Sequence, residues 1–291
     1  MHPILLEIGG FALYSYGAML VVAFMTANRL LQGEVVRNGQ AVQLADDITT
    51  AAFVGGLVGA KFWYLVQFDA WDQLWFWTHL DFSSVGAFGA GLKRIVVGCG
   101  SGLVFYGGAI GGAVAVIAHL RRRGLSVVEF ADMVAPLVFL GYGIGRLGCM
   151  LSGDGDYGLP SDLPWPFAAS LPNATVPVHT HSGLIHLGLS ADAKVLNMPL
   201  FEAIAACGLF AWIWSRRTTV SAPGITAAST ILAMGAERFI VEWWRLNPTA
   251  WSGFGVEFSH AQLVSLVLVT WGIAWILWVR KNSTNGIRGT A

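Results

Sequence analysis

Long apolar runs constrain this chain more tightly than any other feature. Seven of them fall at roughly 11–31, 45–68, 102–120, 130–152, 199–215, 223–243 and 260–280. A helix needs about 20 mostly apolar residues to cross the hydrocarbon core, where every backbone polar group must be satisfied internally. The pattern predicts an all-α integral membrane protein of about seven transmembrane helices, forming a single polytopic domain over residues 1–291. The fifth run is short and polar residues interrupt the sixth, so their ends are the least defined. Composition agrees: 12% of the residues are charged, against about a quarter in soluble domains.

The formal net charge is zero, which gives no reason to expect a nucleic-acid partner, so the placement of charges carries the information. Arg121, Arg122 and Arg123 separate the third and fourth runs, Arg216 and Arg217 follow the fifth, and Arg280 and Lys281 follow the seventh. Basic residues favour the cytoplasmic side. These clusters alternate correctly only with the N-terminus outside and the C-terminus in the cytoplasm. The loop at 153–198 carries Asp154, Asp156, Asp162 and Asp192 against the single Lys194 and therefore faces outward. The N-terminus lacks a basic region and a small-residue cleavage site, so no removable signal peptide is expected.

Residues 69–101 and 153–198 are too long to be simple turns, and loops of such length are usually functional or disordered. The first is expected to form a periplasmic arm whose Trp71, Trp75, Phe76 and Trp77 suit the membrane interface. The second is expected to form a small head domain. No internal repeat is evident, which argues against a transporter built from inverted halves. Cys99, Cys149 and Cys207 are odd in number and far apart, so they make neither a disulfide framework nor a metal cluster.

Ionisable residues inside apolar runs are costly and usually face a cavity or a partner. Here they are Lys61, Asp132, Arg146, Glu202 and the cluster AERFIVEWWR, with Glu237, Arg238, Glu242 and Arg245. Each taken singly is as readily a structural ion pair or a snorkelling side chain, Asp132 above all, because it lies near the inner boundary. Arg238 and Glu242 are four apart and share a helix face, whereas Glu237 points about 100° away. Arg146 and Arg238 can face one outward-opening cavity. Paired guanidiniums hold phosphate well, and the obvious membrane anion is a phospholipid head group. Glycines in GGLVGA, YGGAIGG and GYGIGRLG allow close helix approach.

Five motifs in order carry a resemblance: SYG in the first run, FYGGAIGG, GRLGCMLSGDGDYG, MPLFEAI and ERFIVEWWR. Together they resemble the prolipoprotein diacylglyceryl transferase family, over about residues 8–280. That resemblance implies a bacterial inner-membrane enzyme that moves diacylglyceryl from phosphatidylglycerol to the lipobox cysteine of a prolipoprotein signal peptide. The products are a thioether-linked precursor and glycerol phosphate; no metal or soluble cofactor is implied, and a monomer is expected. The family's functional arginines fall on Arg146 and Arg238, its following glutamate on Glu242, and its first-run tyrosine on Tyr16. Tyr106 and Asp154 complete the expected catalytic set. Tyr16, Gly107, Gly108, Gly148, Gly158 and Lys61, with Arg146, make up the expected substrate-binding set.

The chain departs from the family pattern at several positions. Tyr106 stands where many members carry a histidine before the paired glycines, Cys149 where an asparagine is usual, and Met234 where a tyrosine is expected. The acidic residue of the signature appears as Asp154, with Asp156 close by, and the fifth-run entry motif is split between His179 and Met198. A thiol has a reference pKa of about 8.5 and reacts as thiolate, so cations aimed at the leaving oxygen are the main expected catalytic contribution. Tyr106, with a reference pKa near 10, is a poor base and is expected to position phosphate or glycerol. Proton removal then falls to Asp154, Asp156 or water.

Cys149 reads better as a packed thiol than as a covalent nucleophile. His179 and His181 read better as loop residues than as metal ligands, and no helical HExxH or paired-cysteine pattern suggests zinc. Two other readings fit the sequence. One is an impaired or respecialised paralogue that binds lipid or signal peptide without transfer, which the departures favour. The other is a transporter.

Overall fold

The computed structural model describes residues 2–8, 11–72, 80–91, 104–154, 156–171, 173–176, 188–190, 193–219, 222–245, 247, 249–253 and 256–288. Cys99, Trp75, Phe76, Trp77, His179, His181, His186 and Asp192 lie outside them. The described residues contain the long helices α1 (Ser15–Arg37), α2 (Gln43–Gln67), α3 (Phe105–Arg122), α4 (Val127–Ser152), α5 (Met198–Arg216), α6 (Ile225–Val241) and α7 (His260–Arg288). Each coincides with one apolar run of the sequence.

The chain is a mostly helical membrane protein. Among the described residues, five helices are long and apolar enough to cross a bilayer: α1, α2, α4, α5 and α7 over His260–Asn282. Of the other two, α3 has 18 residues but ends in His119, Arg121 and Arg122, and α6 has 17 and carries Glu237 and Arg238. Large apolar side chains such as Val58, Phe62, Val267, Leu277 and Trp278 are exposed, as expected where lipid rather than water is the solvent.

Among the described residues, three two-stranded antiparallel pairs accompany the helices: β1 (Ile4–Ile8) with β2 (Phe11–Tyr14), β3 (Ala168–Ser170) with β4 (Lys194–Leu196), and β5 (Thr249–Gly253) with β6 (Val256–Ser259). Residues 11–14 read as apolar in sequence and fall inside the first run, but they extend the β1 pairing, and α1 begins only at Ser15. The Ser15 amide donates to Pro3 O at 2.9 Å, and the His2 amide donates to Leu151 O at 3.1 Å, joining the amino-terminal hairpin to the end of α4.

Two compact units divide the chain. Val35–Val127 forms one, and Met1–Glu34 with Val128–Ala291 forms the other. In the smaller unit, α2 and α3 approach so closely that glycine is required. A Cβ on Gly59 would lie 2.3 Å from Gly107 O, and one on Gly55 would lie 2.4 Å from Ala115 Cβ.

In the larger unit, Phe139, Ala206 and Ile213 form a core between α4 and α5, with Tyr142, Leu209, Ala233 and Met234 packed against it. Asp132 on α4 serves the start of α6. Its carboxylate accepts the amides of Gly224 at 2.6 Å and Ala227 at 2.7 Å. The unpaired first-turn amides of a helix need such acceptors, so a carboxylate near the membrane boundary is here a cap borrowed from another helix.

Around Tyr157, Leu171 and Val195 a second cluster gathers Ala169, Ala174, Leu189 and Ala193 beside the β3–β4 pair. This cluster lies in the segment that follows α4. Gly59→Ala is expected to lower stability by about 1–3 kcal/mol through overpacking. Gly56→Ala, whose Cβ would meet its nearest atom at an ordinary 3.6 Å, should be nearly neutral. Thermal unfolding of the two variants in detergent checks the contrast.

Candidate functional site

The approach of α4 to α5 sets the site. Gly143 faces Ala206 and Cys207, and a Cβ there would lie 3.0 Å from Cys207 Sγ and 3.2 Å from Ala206 Cβ. One turn later on α4 stands Arg146, and one turn earlier on α5 stands Glu202. The close packing therefore brings the two charges together, and Arg146 Nε lies 2.5 Å from Glu202 Oε2. Tyr142, one turn before Arg146, donates its hydroxyl to the same oxygen at 3.1 Å. Its ring also lies under the Arg146 guanidinium, 5.0 Å from centroid to Cζ.

Glu202 is completely buried and holds two further arginines. Arg238, in the last turn of α6, places Nη1 2.9 Å from Glu202 Oε1, and Arg245 places Nη1 2.7 Å from the same atom. Asp156, in the loop after α4, pairs with both Arg146 and Arg245. Glu242, in the 3-10 turn Glu242–Trp244, pairs with Arg238 at 2.9 Å and lies 3.7 Å from Arg245. Three guanidiniums thus meet three carboxylates. Such a group is tolerable away from water only when its charges are matched.

Exposure divides the network into a base and a face. The side chains of Glu202, Glu242 and Arg245 are 0%, 2% and 6% exposed, whereas those of Arg146, Arg238 and Asp156 are 15%, 21% and 22% exposed. The open side of the network is therefore formed by Arg146, Arg238 and Asp156, with Arg245 as the brace beneath. Burial by itself would raise the Asp156 carboxyl, but the Arg245 and Arg146 guanidiniums outweigh it and hold the group down at about 2. Asp156 is accordingly a fixed anion.

The structure brings together Arg146, Arg238 and Glu242 from the expected catalytic set. Asp154 is exposed, and it is its neighbour Asp156 that meets the arginines. Cys149 Sγ lies 3.8 Å from Arg146 Nη1 and forms, with Asp154 and Asp156, a trio whose ligand atoms lie within 4.8 Å of one another. Asp156 is already held between two guanidiniums, and their positive field opposes a cation there.

Tyr16 packs on Gly148, where a Cβ would lie 3.2 Å from the tyrosine ring. Gly158 is a close-approach position: its amide donates to Leu196 O at 3.1 Å, it bridges Arg245 in antiparallel fashion, and a Cβ would lie 2.7 Å from Met198 Cγ. That bridge fixes the backbone of Arg245 beside the loop that carries Asp156.

Lys61, Tyr106, Gly107 and Gly108 belong to the other unit. There Gly107 faces Gly59 and Trp63, Gly108 faces Ala60 and Gly56, Lys61 lies 5.0 Å over the Tyr64 ring, and Tyr106 is half-exposed, edge-on to Phe105.

The sequence marks Glu202 and Arg245 only as ionisable residues inside apolar runs and Asp156 only as a possible proton acceptor, and it gives no sign of the part Tyr142 plays. The available signal for Glu202 was a lone carboxylate near the start of an apolar helix, three residues after Pro199. Glu237 is buried with Oε1 unpaired among the described residues. It makes no ion pair with Arg238, as its position around the helix requires.

Together these features define a class: a polytopic membrane protein with a buried arginine–carboxylate centre at the ends of its helices. The prolipoprotein diacylglyceryl transferase family matches residues 3–278, and the chain belongs to that family. A phosphatidylglycerol–prolipoprotein diacylglyceryl transferase of Leptospira interrogans is 27% identical, over 93% of this chain and 92% of its own. The proteins of the same name from Clostridium tetani and Bordetella avium are each 27% identical. They cover 94% and 97% of this chain and 96% of their own in both cases.

Two predictions follow from the network. Glu202→Gln leaves three guanidiniums facing two carboxylates and should cost about 3–5 kcal/mol, as broken buried pairs do, measured by unfolding in detergent. Asp156 has a folded-state pKa below its unfolded value. Its contribution to stability is complete above about pH 4 and is lost as the pH falls toward 2. Unfolding midpoints between pH 5 and 2 should fall steeply for the wild type and less steeply for Asp156→Asn.

Proposed function

We propose that this chain transfers the diacylglyceryl group of phosphatidylglycerol to the lipobox cysteine thiol of prolipoprotein signal peptides. The observation that carries the reading is the partly exposed edge formed by Arg146 and Arg238 over the buried Glu202. It suits a phosphodiester held at the membrane surface. Family membership supports the same activity.

In this mechanism the substrate's thiolate attacks the glycerol carbon of the lipid. A C–S bond forms, the C–O bond to phosphate breaks, and glycerol phosphate leaves with the bridging oxygen. Charge grows on that oxygen in the transition state. Arg146 and Arg238, already oriented by Glu202, stabilise it without rearranging. Glu242 keeps Arg238 in place, Arg245 braces the network from beneath, and Asp156 holds Arg146 and Arg245 at its open edge.

Asp156 is too weak a base to take the thiol proton. Asp154 or water receives it, and the departing phosphate monoester, whose second pKa is about 6, can take it up at the end. Tyr16, Gly148 and Gly158 shape the wall beside Arg146. No metal or soluble cofactor takes part.

All of α1 to α7 cross the bacterial inner membrane in this reading, with the N-terminus outside and the C-terminus in the cytoplasm, and the protein works as a monomer. Residues 69–101 form the arm and 153–198 the head. The parity of the helices supports this arrangement. The end of α4, the start of α5, the end of α6 and the start of α7 then share the outer side, and the arginine–carboxylate network lies at those ends. The basic clusters at 121–123, 216–217 and 280–281 fall on the other.

Purified protein, given labelled phosphatidylglycerol and a lipobox peptide, should place label on the peptide thiol. Arg146→Ala and Arg238→Ala should each reduce the rate on the order of 100-fold or more, as removal of a preorganised charge-stabilising donor does. Lipid binding by the wild type without labelled peptide would overturn the transfer reading in favour of a non-transferring paralogue.

A further inference from the structure

Glu242 is gripped from the side opposite Arg238 by two residues outside the network. Asn247 Nδ2 donates to Glu242 Oε1 at 2.6 Å, and Ser259 Oγ donates to the same oxygen at 2.6 Å. Ser259 is itself fixed. The Gln262 amide donates to Ser259 Oγ at 3.2 Å, and the Ser259 amide donates to Gln262 Oε1 at 3.0 Å. This is a reciprocal capping box at the start of α7.

A serine hydroxyl has one proton. With its oxygen accepting from Gln262, that proton is directed to Glu242. The β5–β6 hairpin brings the two ends of the loop together, because Asn247 precedes β5 and Ser259 closes β6. With Oε1 engaged by two donors, the carboxylate cannot rotate, and Oε2 stays 2.9 Å from Arg238 Nη2.

We propose that Ser259 and Asn247 are positioning residues that act through Glu242 to orient Arg238 toward the head-group phosphate. The inference rests on the reading of Arg238 as a phosphate-binding group. It gives the hairpin between α6 and α7 a task, which is to carry the start of α7 to the arginine centre.

Glycine separates this role from simple helix capping, since Ser→Gly at an N-cap loses little helix stability yet removes the proton directed to Glu242. The test compares full-length wild type, Ser259→Thr, Ser259→Gly, Asn247→Ala, Glu242→Gln and the Ser259→Gly/Glu242→Gln double variant. The readouts are kcat and KM for labelled phosphatidylglycerol with the lipobox peptide, together with thermal midpoints. Ser259→Gly should keep a near-wild-type midpoint while kcat falls about tenfold, the scale of one hydrogen bond to a charged group. Asn247→Ala should fall in the same direction, and Ser259→Thr should transfer normally.

In the Glu242→Gln background, Ser259→Gly should cost no further rate. Normal kcat in Ser259→Gly, or an equal loss in both backgrounds, overturns the positioning role while leaving the transfer reading intact. Absence of transfer by the wild type overturns that reading and this inference with it.

Discussion

Glu202 is a carboxylate with no exposure to solvent, and it holds three guanidiniums that arrive on three different stretches of chain. A charge in that position is sustainable only if it is matched on the spot. The end of α4, the start of α5 and the end of α6 must therefore meet at one place, and the loop after α4 must bring Asp156 to complete the balance. The same requirement that stabilises the centre leaves two of the arginines partly open, because Arg245, Glu202 and Glu242 fill the base. A stable fold and a partly open pair of guanidiniums are in this respect one arrangement.

Small residues make that arrangement reachable. Gly143 lets α4 approach Ala206 and Cys207, and Gly158 lets the loop after α4 lie against Leu196 and Met198 while bridging Arg245. In the smaller unit, Gly55, Gly59, Gly107 and Gly111 do the same for α2 and α3. Inside a membrane, helices gain little from hydrophobic burial against one another, so close backbone contact carries more of the association. Polar ends are then satisfied by borrowed partners, as when Asp132 caps α6 from α4.

The helices were legible in the sequence because crossing a bilayer imposes a one-dimensional rule of length and apolarity. The Arg238–Glu242 pair was legible because both lie on one helix, four residues apart. Glu202 was visible as an isolated carboxylate, but its partners are 36 to 60 residues away, and only packing names them.

The choice between Asp154 and Asp156 was likewise hidden, since two acids two residues apart look alike until the loop is folded. The hairpins escaped notice for a different reason. Residues 11–14 are apolar enough to read as the start of a span, and the β5 and β6 strands are too short to stand out beside the helices. Recognition by motif gave roles to Arg146, Arg238 and Glu242; Glu202 and Arg245 stand inside the same motifs, but their part in holding the arginines shows only in the fold.

The central claim is that the exposed edge of this network is where the lipid phosphate sits. A structure of the protein with phosphatidylglycerol bound tests it most directly. The account predicts the phosphorus within hydrogen-bonding reach of both Arg146 and Arg238, with Glu202 still paired beneath them. A head group bound elsewhere, with both arginines still engaged only by their carboxylates, would contradict it.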